Sequence, residues 1–341
     1  MTLKILSFLT KFLFFPLIVI VFTYLLFQNF KFNNSNILIW VLISIIFFLI
    51  IYYLNSSSKY LGFGDVKFFI IMGLFLGVIS ALFFNPFLIF ILGLFIGSFL
   101  NSIIYRLENN LPFPLTYSFC PYCHHRLHSL DLIPVLSFLM LKGKCRYCGK
   151  KISFQYPIVE MLTGFIFFFI FKFVSMNQLS VFDLIYYLTV SSFLIIIFVY
   201  DFKNFIIPDK YLFPLILTVF AYLLFQYFKF NNLNILLNSL IGALISLIFF
   251  LIIYLISSGK YLGFGDVKFS FFMGLFLGYP KILVALFFSF FIGAIIGIIL
   301  IILKEKTFKS EIPFGPFLII GVYIALFYGE EIINWYLSLS V

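Results

Sequence analysis

The sequence predicts an all-helical protein that crosses a membrane about eleven times. Of its 341 residues, 64% are hydrophobic and only 10% are charged, whereas soluble domains are about half apolar and about a quarter charged. The apolar residues form continuous runs, without the alternation typical of a membrane-spanning β-barrel. This composition excludes a soluble enzyme with one membrane anchor, and it also excludes a disordered chain.

Most of the apolar segments are long enough to cross about 30 Å of hydrocarbon as a helix. They cover residues 12–28, 37–54, 68–84, 86–105, 155–174, 184–200, 211–228, 235–256, 269–279, 282–303 and 315–337. Segment 269–279 is shorter than the others and ends at Gly278, Tyr279 and Pro280. It is therefore predicted to be a half-span or a kinked helix buried among its neighbours.

The distribution of basic residues predicts the orientation of these segments. With the N-terminus inside and the segments alternating, 18 of the 22 Lys and Arg residues fall on the inside and 4 on the outside. Basic loops remain in the cytoplasm, so we expect a multi-pass bacterial inner-membrane protein with its N-terminus inside and its C-terminus outside. The net charge of +10 is then explained by the basic inside loops that orient the protein in the bilayer, and it does not indicate nucleic-acid binding.

An internal repeat links the two halves of the chain. The ten residues KYLGFGDVKF occur at 59–68 and again at 260–269. Residues 1–85 are therefore predicted to be extra N-terminal transmembrane segments that partly duplicate 213–279. The copies are offset by an even number of segments, which places both GFGD loops on the inside.

With twelve acidic residues in the chain, two stand out as candidates for catalysis. Asp201 ends one apolar segment, and Asp266 lies in the second GFGD, both at the predicted inside face. Two carboxylates in one site share a proton, so one can take a proton from water while the other polarises a peptide carbonyl. Gly263 and Gly265 allow close backbone approach and unusual dihedral angles. The alternative is that Asp266 only caps a helix after a glycine turn.

The remaining acids fit plainer roles. Asp131 is expected to cap a helix in the large inside loop, and Glu160 lies in an apolar helix, where an acid serves function or a polar network. Five others are interpreted as solvated charges: Glu108, Glu305, Glu311, Glu330 and Glu331.

Four cysteines, Cys120, Cys123, Cys145 and Cys148, have the spacing C-x2-C-x21-C-x2-C. Two such pairs can form a tetrahedral, all-cysteine zinc site, which is structural because it has no open position. A disulfide is disfavoured because the loop is predicted to be cytoplasmic. His124, His125 and His128 are neighbours, either as a replacement ligand or as solvated side chains. The basic residues of this zinc-ribbon-like loop favour anionic lipid headgroups over nucleic acid.

Several motifs together resemble the type IV prepilin peptidases, membrane aspartic proteases of the GxGD class. They are GLFIGSFLNSIIYRL at 93–107, CPYC at 120–123, DLIPVLSFLMLKGKCRYCGKKIS at 131–153, YPIVEMLTG at 156–164, YDFKNFIIPD at 200–209, GFGDVK at 263–268 and IPFGPFL at 312–318. They occur in the order of the family, over about three quarters of the chain.

The resemblance implies that Asp201 and Asp266 are the catalytic pair, with Asp209 and Lys268 in support. It implies cleavage of prepilin or pseudopilin leaders after Gly at the cytoplasmic face. A second activity, N-methylation of the new N-terminus with S-adenosylmethionine, is also implied. Residues 86–175, with the four-cysteine loop at 106–153, would form the methyltransferase part, and residues 176–341 the peptidase part.

The N-terminal extension departs from the family pattern. Asp65 lies in an intact GFGDVK, but its copy lacks an equivalent of Asp201, so Asp65 is predicted to be non-catalytic. The rival hypothesis is that Asp65 competes with Asp266 as the partner of Asp201. Other readings that remain open are a peptidase without methyltransferase activity, a polytopic transporter or scaffold, and an inactive relative that acts as an assembly factor.

Overall fold

The structure is a computed structural model that describes residues 85–109, 111, 118–260, 262–305, 307 and 310–339. The predicted segments 12–28, 37–54 and 68–84 lie outside the described residues, and so do the first GFGD copy and Asp65. The predicted duplication of 213–279 therefore stays a prediction.

The described part of the chain is helical, which confirms the predicted fold class. Its α-helices are α1 (Pro86–Glu108), α2 (Leu136–Met140), α3 (Gln155–Met176), α4 (Val181–Asn204), α5 (Asp209–Phe230), α6 (Leu233–Ser257), α7 (Phe264–Leu277), α8 (Lys281–Ile302) and α9 (Gly315–Ser338). A short 3-10 helix, Ser129–Leu132, precedes α2. Seven of these helices, all but α2 and α7, are long and apolar enough to cross a membrane.

Local sequence explains where several helices begin and end. The Asn232 side chain accepts a hydrogen bond from the Asn234 amide and caps the start of α6. Pro316 lies in the first turn of α9, where its missing N–H costs nothing. Gly278 ends α7 with a φ of 69°, in the left-handed region that glycine tolerates best.

Helix α7 is the short element that the sequence predicted before Gly278. Its 14 residues span about 21 Å at the usual rise of an α-helix, which is less than the thickness of the hydrocarbon layer. It packs against α5, α6, α8 and α9, so its polar backbone ends lie among protein neighbours.

The described residues fall into two compact units. The first contains residues 85–93 and 164–187, and the second contains 94–163 and 188–339. In the first unit, Phe90 and Phe165 meet edge to face with ring centroids 5.2 Å apart.

In the second unit, small residues bring helices into close backbone contact. A Cβ added at Gly242 would lie 2.8 Å from the Gly274 carbonyl oxygen, so α6 and α7 touch backbone to backbone. The Ser246 hydroxyl donates to the Ser270 carbonyl at 2.8 Å across the same contact. This close packing fixes α7, the helix whose first turn carries Asp266.

Candidate active site and cysteine cluster

Asp201 lies near the end of α4, in the second unit, and is buried. The apolar pattern had indicated that Asp201 ends its segment. Helix α4 instead continues to Asn204, so Asp201 is held within a regular helix. Its Oδ2 accepts a hydrogen bond of 3.0 Å from the backbone N–H of Gly315, the first residue of α9. The bond thereby fixes the carboxylate between α4 and α9, although Asp201 and Gly315 are 114 residues apart in the sequence.

Asp266 lies in the first turn of α7, three residues after the N-cap Gly263. The cap is Gly263 itself, and the Asp266 amide donates to the Gly263 carbonyl at 3.1 Å. Asp266 therefore does not occupy the N-cap position that the alternative interpretation gave it.

The two glycines of the second GFGD have ordinary backbone dihedral angles, and their lack of a side chain allows neighbouring groups to approach the backbone closely. Gly263 has an ordinary φ of −72°, and Gly265 is not among the positive-φ residues. A Cβ added at Gly265 would lie 3.2 Å from Cβ of Ile207, so the start of α7 packs tightly on the segment before α5. The expectation of special backbone angles at these glycines was wrong.

The fold brings Asp201 and Asp266 into one site. The two carboxylates, from α4 and α7, lie close enough for a direct electrostatic interaction. Both belong to the second unit. Two acids in such an arrangement can share one proton, which is the condition for activating a water molecule without a covalent intermediate.

Asp209 and Lys268 form an ion pair beside the two acids. Lys268 Nζ lies 2.6 Å from both carboxylate oxygens of Asp209. Asp209 is the first residue of α5 and Lys268 lies two residues after Asp266 in α7. The pair therefore joins the starts of the two helices, and the Lys268 ammonium contacts Asp209.

The four cysteines converge in the loop between α1 and α3. Their Sγ atoms all lie within 4.8 Å of one another, and those of Cys120 and Cys148 are 4.0 Å apart. A tetrahedral zinc ion with Zn–S bonds of about 2.3 Å places its sulfurs about 3.8 Å apart. The cluster is therefore compatible with a zinc site, and it brings together all four predicted ligands.

Each cysteine pair closes a turn of the same design. The Cys120 amide donates to the His125 carbonyl oxygen at 3.0 Å, and the His124 amide donates to the Cys120 carbonyl oxygen at 2.9 Å. Cys145 N likewise donates to Lys150 O at 2.8 Å, while Gly149 N donates to Cys145 O at 2.9 Å. The backbone thus directs each pair of thiols to one side.

Backbone hydrogen bonds also prepare a thiol of the cluster for metal binding. Burial opposes ionisation of Cys120, but hydrogen bonds from the Cys123 and Tyr122 backbone outweigh it and lower the pKa of the Cys120 thiol to about 7. The thiolate is the form that binds zinc.

Asp131 joins the second cysteine turn to the preceding 3-10 helix. It accepts hydrogen bonds from Arg146 Nε at 2.7 Å, Tyr147 Oη at 2.8 Å and the His128 amide at 3.1 Å. Burial alone would raise its pKa, but these bonds and the Arg146 charge hold the pKa below its usual value. Asp131 is thus a structural cap, as the sequence predicted.

Glu160 also has a structural partner. Its Oε2 accepts a hydrogen bond of 2.7 Å from the Val135 amide, and the residue is buried in α3. Val135 has a φ of 61°, which is unusual for a β-branched residue, so this bond supports a strained turn of the loop. Of the two roles considered for Glu160, the structure favours the polar network.

Sequence reasoning missed two partners within this region. Gly315 was recognised only as part of a motif, and its contact with Asp201 depends on how α4 and α9 pack. Glu108 was interpreted as a solvated charge, yet its Oε1 lies 3.0 Å from Lys203 Nζ at the end of α4. The only local sequence feature that pointed to the contact between Gly315 and Asp201 was the pair Gly315 and Pro316 at the start of α9.

Comparisons with known families match both parts of the chain. Residues 91–174 match the bacterial peptidase A24 N-terminal domain, and residues 188–298 match the type IV leader peptidase family. The first range contains the four cysteines, and the second contains Asp201 and Asp266.

Individual relatives are similar over most of their length. A prepilin leader peptidase/N-methyltransferase of Aeromonas hydrophila is 32% identical over 275 residues, covering 74% of this chain and 93% of the relative. The protein of the same name from Bacillus subtilis (strain 168) is 32% identical over 260 residues, with coverage of 74% and 98%. That from Legionella pneumophila is 31% identical over 290 residues, with coverage of 76% and 99%.

No solved structure matches the chain. The two family models together cover more than half of it, and the relatives align with about three quarters of it. The chain therefore belongs to the type IV leader peptidase family.

Proposed function

We propose that this protein is a membrane aspartic endopeptidase that removes the leader peptide of type IV prepilin or pseudopilin precursors, cutting after Gly. The observation that carries the proposal is the electrostatic interaction between Asp201, which is buried in α4, and Asp266, which is half-buried in α7. Relatives named prepilin leader peptidase/N-methyltransferase supply the substrate class.

The two acids take different parts in the reaction. The Gly315 N–H donates to Asp201 Oδ2 and so stabilises the charged carboxylate, which suits Asp201 to take the proton from the attacking water. Asp266 holds the shared proton and donates a hydrogen bond to the scissile carbonyl oxygen. The water oxygen bonds to the carbonyl carbon, and the C–N bond then breaks as Asp201 passes the proton it took from the water to the leaving amine.

Neighbouring residues support this pair. The ion pair between Asp209 and Lys268 orients the start of α7. Gly263 leaves room beside Asp266 for the substrate backbone, and Gly265 supports the site by letting the start of α7 pack closely on Ile207. The predicted orientation places the site at the cytoplasmic face of the inner membrane, with the N-terminus inside and the C-terminus outside. Membrane lipids surround the helices, and nucleic acid has no role.

A second activity completes the proposal. The part formed by residues 86–175 N-methylates the new N-terminus with S-adenosylmethionine, as the names of the relatives suggest. Cys120, Cys123, Cys145 and Cys148 bind one structural zinc ion in the loop at 106–153, which lies against anionic headgroups. Residues 176–341 form the peptidase part, and the extra residues 1–85, with Asp65, take no part in catalysis.

Prepilin cleavage in proteoliposomes tests the peptidase assignment. Asp201→Asn and Asp266→Asn should each abolish cleavage, while the matched variant Asp65→Asn should cleave like the unchanged protein. Cleavage by both Asp201→Asn and Asp266→Asn would show that the pair is not catalytic. Loss of cleavage in Asp65→Asn, with activity retained in Asp266→Asn, would instead transfer the catalytic role to the first GFGD.

Transfer of a labelled methyl group to the cleaved product tests the second activity. A protein that cleaves prepilin but transfers no label would be a peptidase only.

A further inference from the structure

The short helix α2, in the four-cysteine loop, turns an apolar face away from the rest of the protein. Its sequence is LSFLM, and none of its residues is buried. Leu136, Leu139 and Met140 are 58%, 63% and 79% exposed. They are spaced i, i+3 and i+4, so they lie on one face of the helix, while the polar Ser137 is half-buried. An exposed apolar patch of this kind marks a contact surface.

Helix α3 continues this apolar surface. Phe154 immediately precedes α3, and Ile158 and Leu162 follow it at intervals of four residues. All three are exposed on one face of a helix that is long and apolar enough to cross a membrane, and such a face contacts lipid. Phe138 of α2 packs on Phe154, with ring centroids 5.3 Å apart. The exposed face of α2 therefore lies beside the first turn of a lipid-facing surface.

A hydrogen bond fixes α2 alongside α3. The amide of Val135, the residue before α2, donates to Glu160 Oε2 at 2.7 Å. Glu160 lies five residues after Gln155, the first residue of α3, which is a rise of about 7.5 Å along the helix. A Cβ added at Gly143 would lie 3.1 Å from Phe138 Cζ, so the turn after α2 folds back over the same ring. Helix α2 thus lies level with the first turns of α3 and does not project beyond its end.

Basic side chains flank the apolar face. Lys142 and Lys144 follow α2 directly, and both are exposed. Long lysine side chains can keep their ammonium groups among headgroups while neighbouring apolar groups insert below them. The carboxylate of Asp131, which precedes α2, already accepts hydrogen bonds from Arg146 and Tyr147. An apolar face bordered by lysines, and continuous with the lipid-facing side of α3, matches the boundary between headgroups and acyl chains.

We propose that α2 is an interfacial membrane anchor. Leu136, Leu139 and Met140 insert at the boundary between headgroups and acyl chains of the bilayer, and Lys142 and Lys144 contact the phosphates of anionic phospholipids. The inference rests on the part of the proposed function that places the four-cysteine loop against anionic headgroups, and it assigns the residues that make this contact. Because α2 is part of the loop, its insertion holds the cysteine cluster close to the membrane.

Quenching of tryptophan fluorescence by brominated phospholipids tests the anchor in the full-length protein. Trp40→Phe and Trp335→Phe remove the two native tryptophans, and Met140→Trp then supplies the only reporter. In nanodiscs of anionic phospholipid brominated in the upper acyl chain, its emission should fall about twofold or more relative to unbrominated lipid, because an interfacial helix buries its apolar face about 5–10 Å deep.

Tyr122→Trp in the same background is the matched control. Tyr122 is exposed on the first cysteine turn, and the Lys150 ammonium lies 4.8 Å from its ring centroid, so its surroundings are charged. Its emission should change little with brominated lipid. Zinc content and thermal unfolding establish that both reporter variants are folded. Equal quenching of the two reporters would mean that α2 is not the inserted element of the loop.

Removal of the apolar face provides a second measurement. Adding Leu136→Gln and Leu139→Gln to the Met140→Trp reporter should restore most of the lost emission and shift it to longer wavelength, because glutamine side chains favour water. Quenching that is unchanged by the loss of both leucines would show that this face does not determine the position of α2, and would overturn the anchor.

The remaining outcomes distinguish lipid from other occupants. Long-wavelength emission without lipid quenching would place α2 in water, and short-wavelength emission without lipid quenching would mean that a protein segment covers it; either result overturns the anchor. Prepilin cleavage in the same nanodiscs separates the anchor from the proposed function. Cleavage without lipid quenching would overturn the anchor alone, whereas quenching without cleavage would support the anchor and contradict the peptidase assignment.

Discussion

The backbone N–H of Gly315 donates a 3.0 Å hydrogen bond to Oδ2 of Asp201, so the first residue of α9 holds a carboxylate of α4. There is no room between them for a larger residue. A Cβ added at Gly315 would lie 2.6 Å from Oδ2 and 3.1 Å from Cγ of Asp201. Position 315 therefore requires glycine, because the backbone there lies too close to the Asp201 carboxylate for any side chain.

Gly315→Ala should displace the Asp201 carboxylate while leaving the helices in place. A misplacement of about 1 Å can cost about 100-fold in rate, so we expect kcat/KM for prepilin cleavage to fall about 100-fold. Gly297→Ala is the matched control, because its added Cβ would meet only Ile312 Cδ1, at 3.9 Å. Equal activity of the two variants would show that the contact with Gly315 does not position Asp201.

The ion pair between Asp209 and Lys268 should act as one unit on the active site. Asp209→Asn and Lys268→Gln each break the same contact, so the double variant should lose no more kcat than either single variant. The Asp209 side chain is 50% exposed, and exposed pairs contribute about 1 kcal/mol or less to stability. We therefore expect kcat to fall by about fivefold or less, with KM and the unfolding temperature nearly unchanged.

A double-mutant cycle on prepilin cleavage measures this coupling. Losses that simply add in the double variant would mean that the two residues act separately, and a large fall in unfolding temperature would assign the pair to stability alone.

How much the sequence could predict depended on the distance along the chain between partners. The cysteine cluster was predictable, because each C-x2-C turn is local and only two turns had to meet. The apolar segments were predictable from composition, and α7 was recognised as short from Gly278. The contact of Gly315 with Asp201 was not predictable, because it joins residues 114 positions apart through the packing of α4 and α9.

Charge scarcity was informative about Asp201 and Asp266 but misleading about Glu108. In the sequence, Glu108 follows the apolar segment 86–105, and an acid in that position is typically solvated. The contact of Glu108 with Lys203 arises because the end of α4 lies beside the end of α1. Only the fold could reveal that arrangement.

The close contact between α6 and α7 should be intolerant of larger side chains. A Cβ at Gly274 would overlap the backbone of Gly242 and Ala243 in α6, and backbone atoms cannot rotate away as a side chain does. Overpacking of this kind typically costs about 1–3 kcal/mol. We therefore expect Gly274→Val to lower the unfolding temperature in detergent and to reduce prepilin cleavage, because α7 carries Asp266.

Gly297→Ala again provides the control for Gly274→Val, since it adds a side chain to a helix without a backbone clash. An unfolding temperature for Gly274→Val equal to that of the control would mean that α6 and α7 can separate at little cost.

Removal of the metal should affect the cysteine loop more than the acid pair. Cys145→Ser removes a buried ligand, so bound zinc, measured by mass spectrometry, should fall from about one ion per chain to nearly none. Prepilin cleavage should fall less, because the helices that hold Asp201 and Asp266 contain no cysteine.

His125→Ala tests whether a histidine replaces one of the thiols. The His125 ring lies 3.8 Å from the Tyr147 ring, centroid to centroid, and its imidazole is therefore expected to pack in the loop without binding metal. The variant should keep its zinc. Zinc lost in His125→Ala but retained in Cys145→Ser would contradict the four-thiolate site, because the convergence of four Sγ atoms would then not define the ligands.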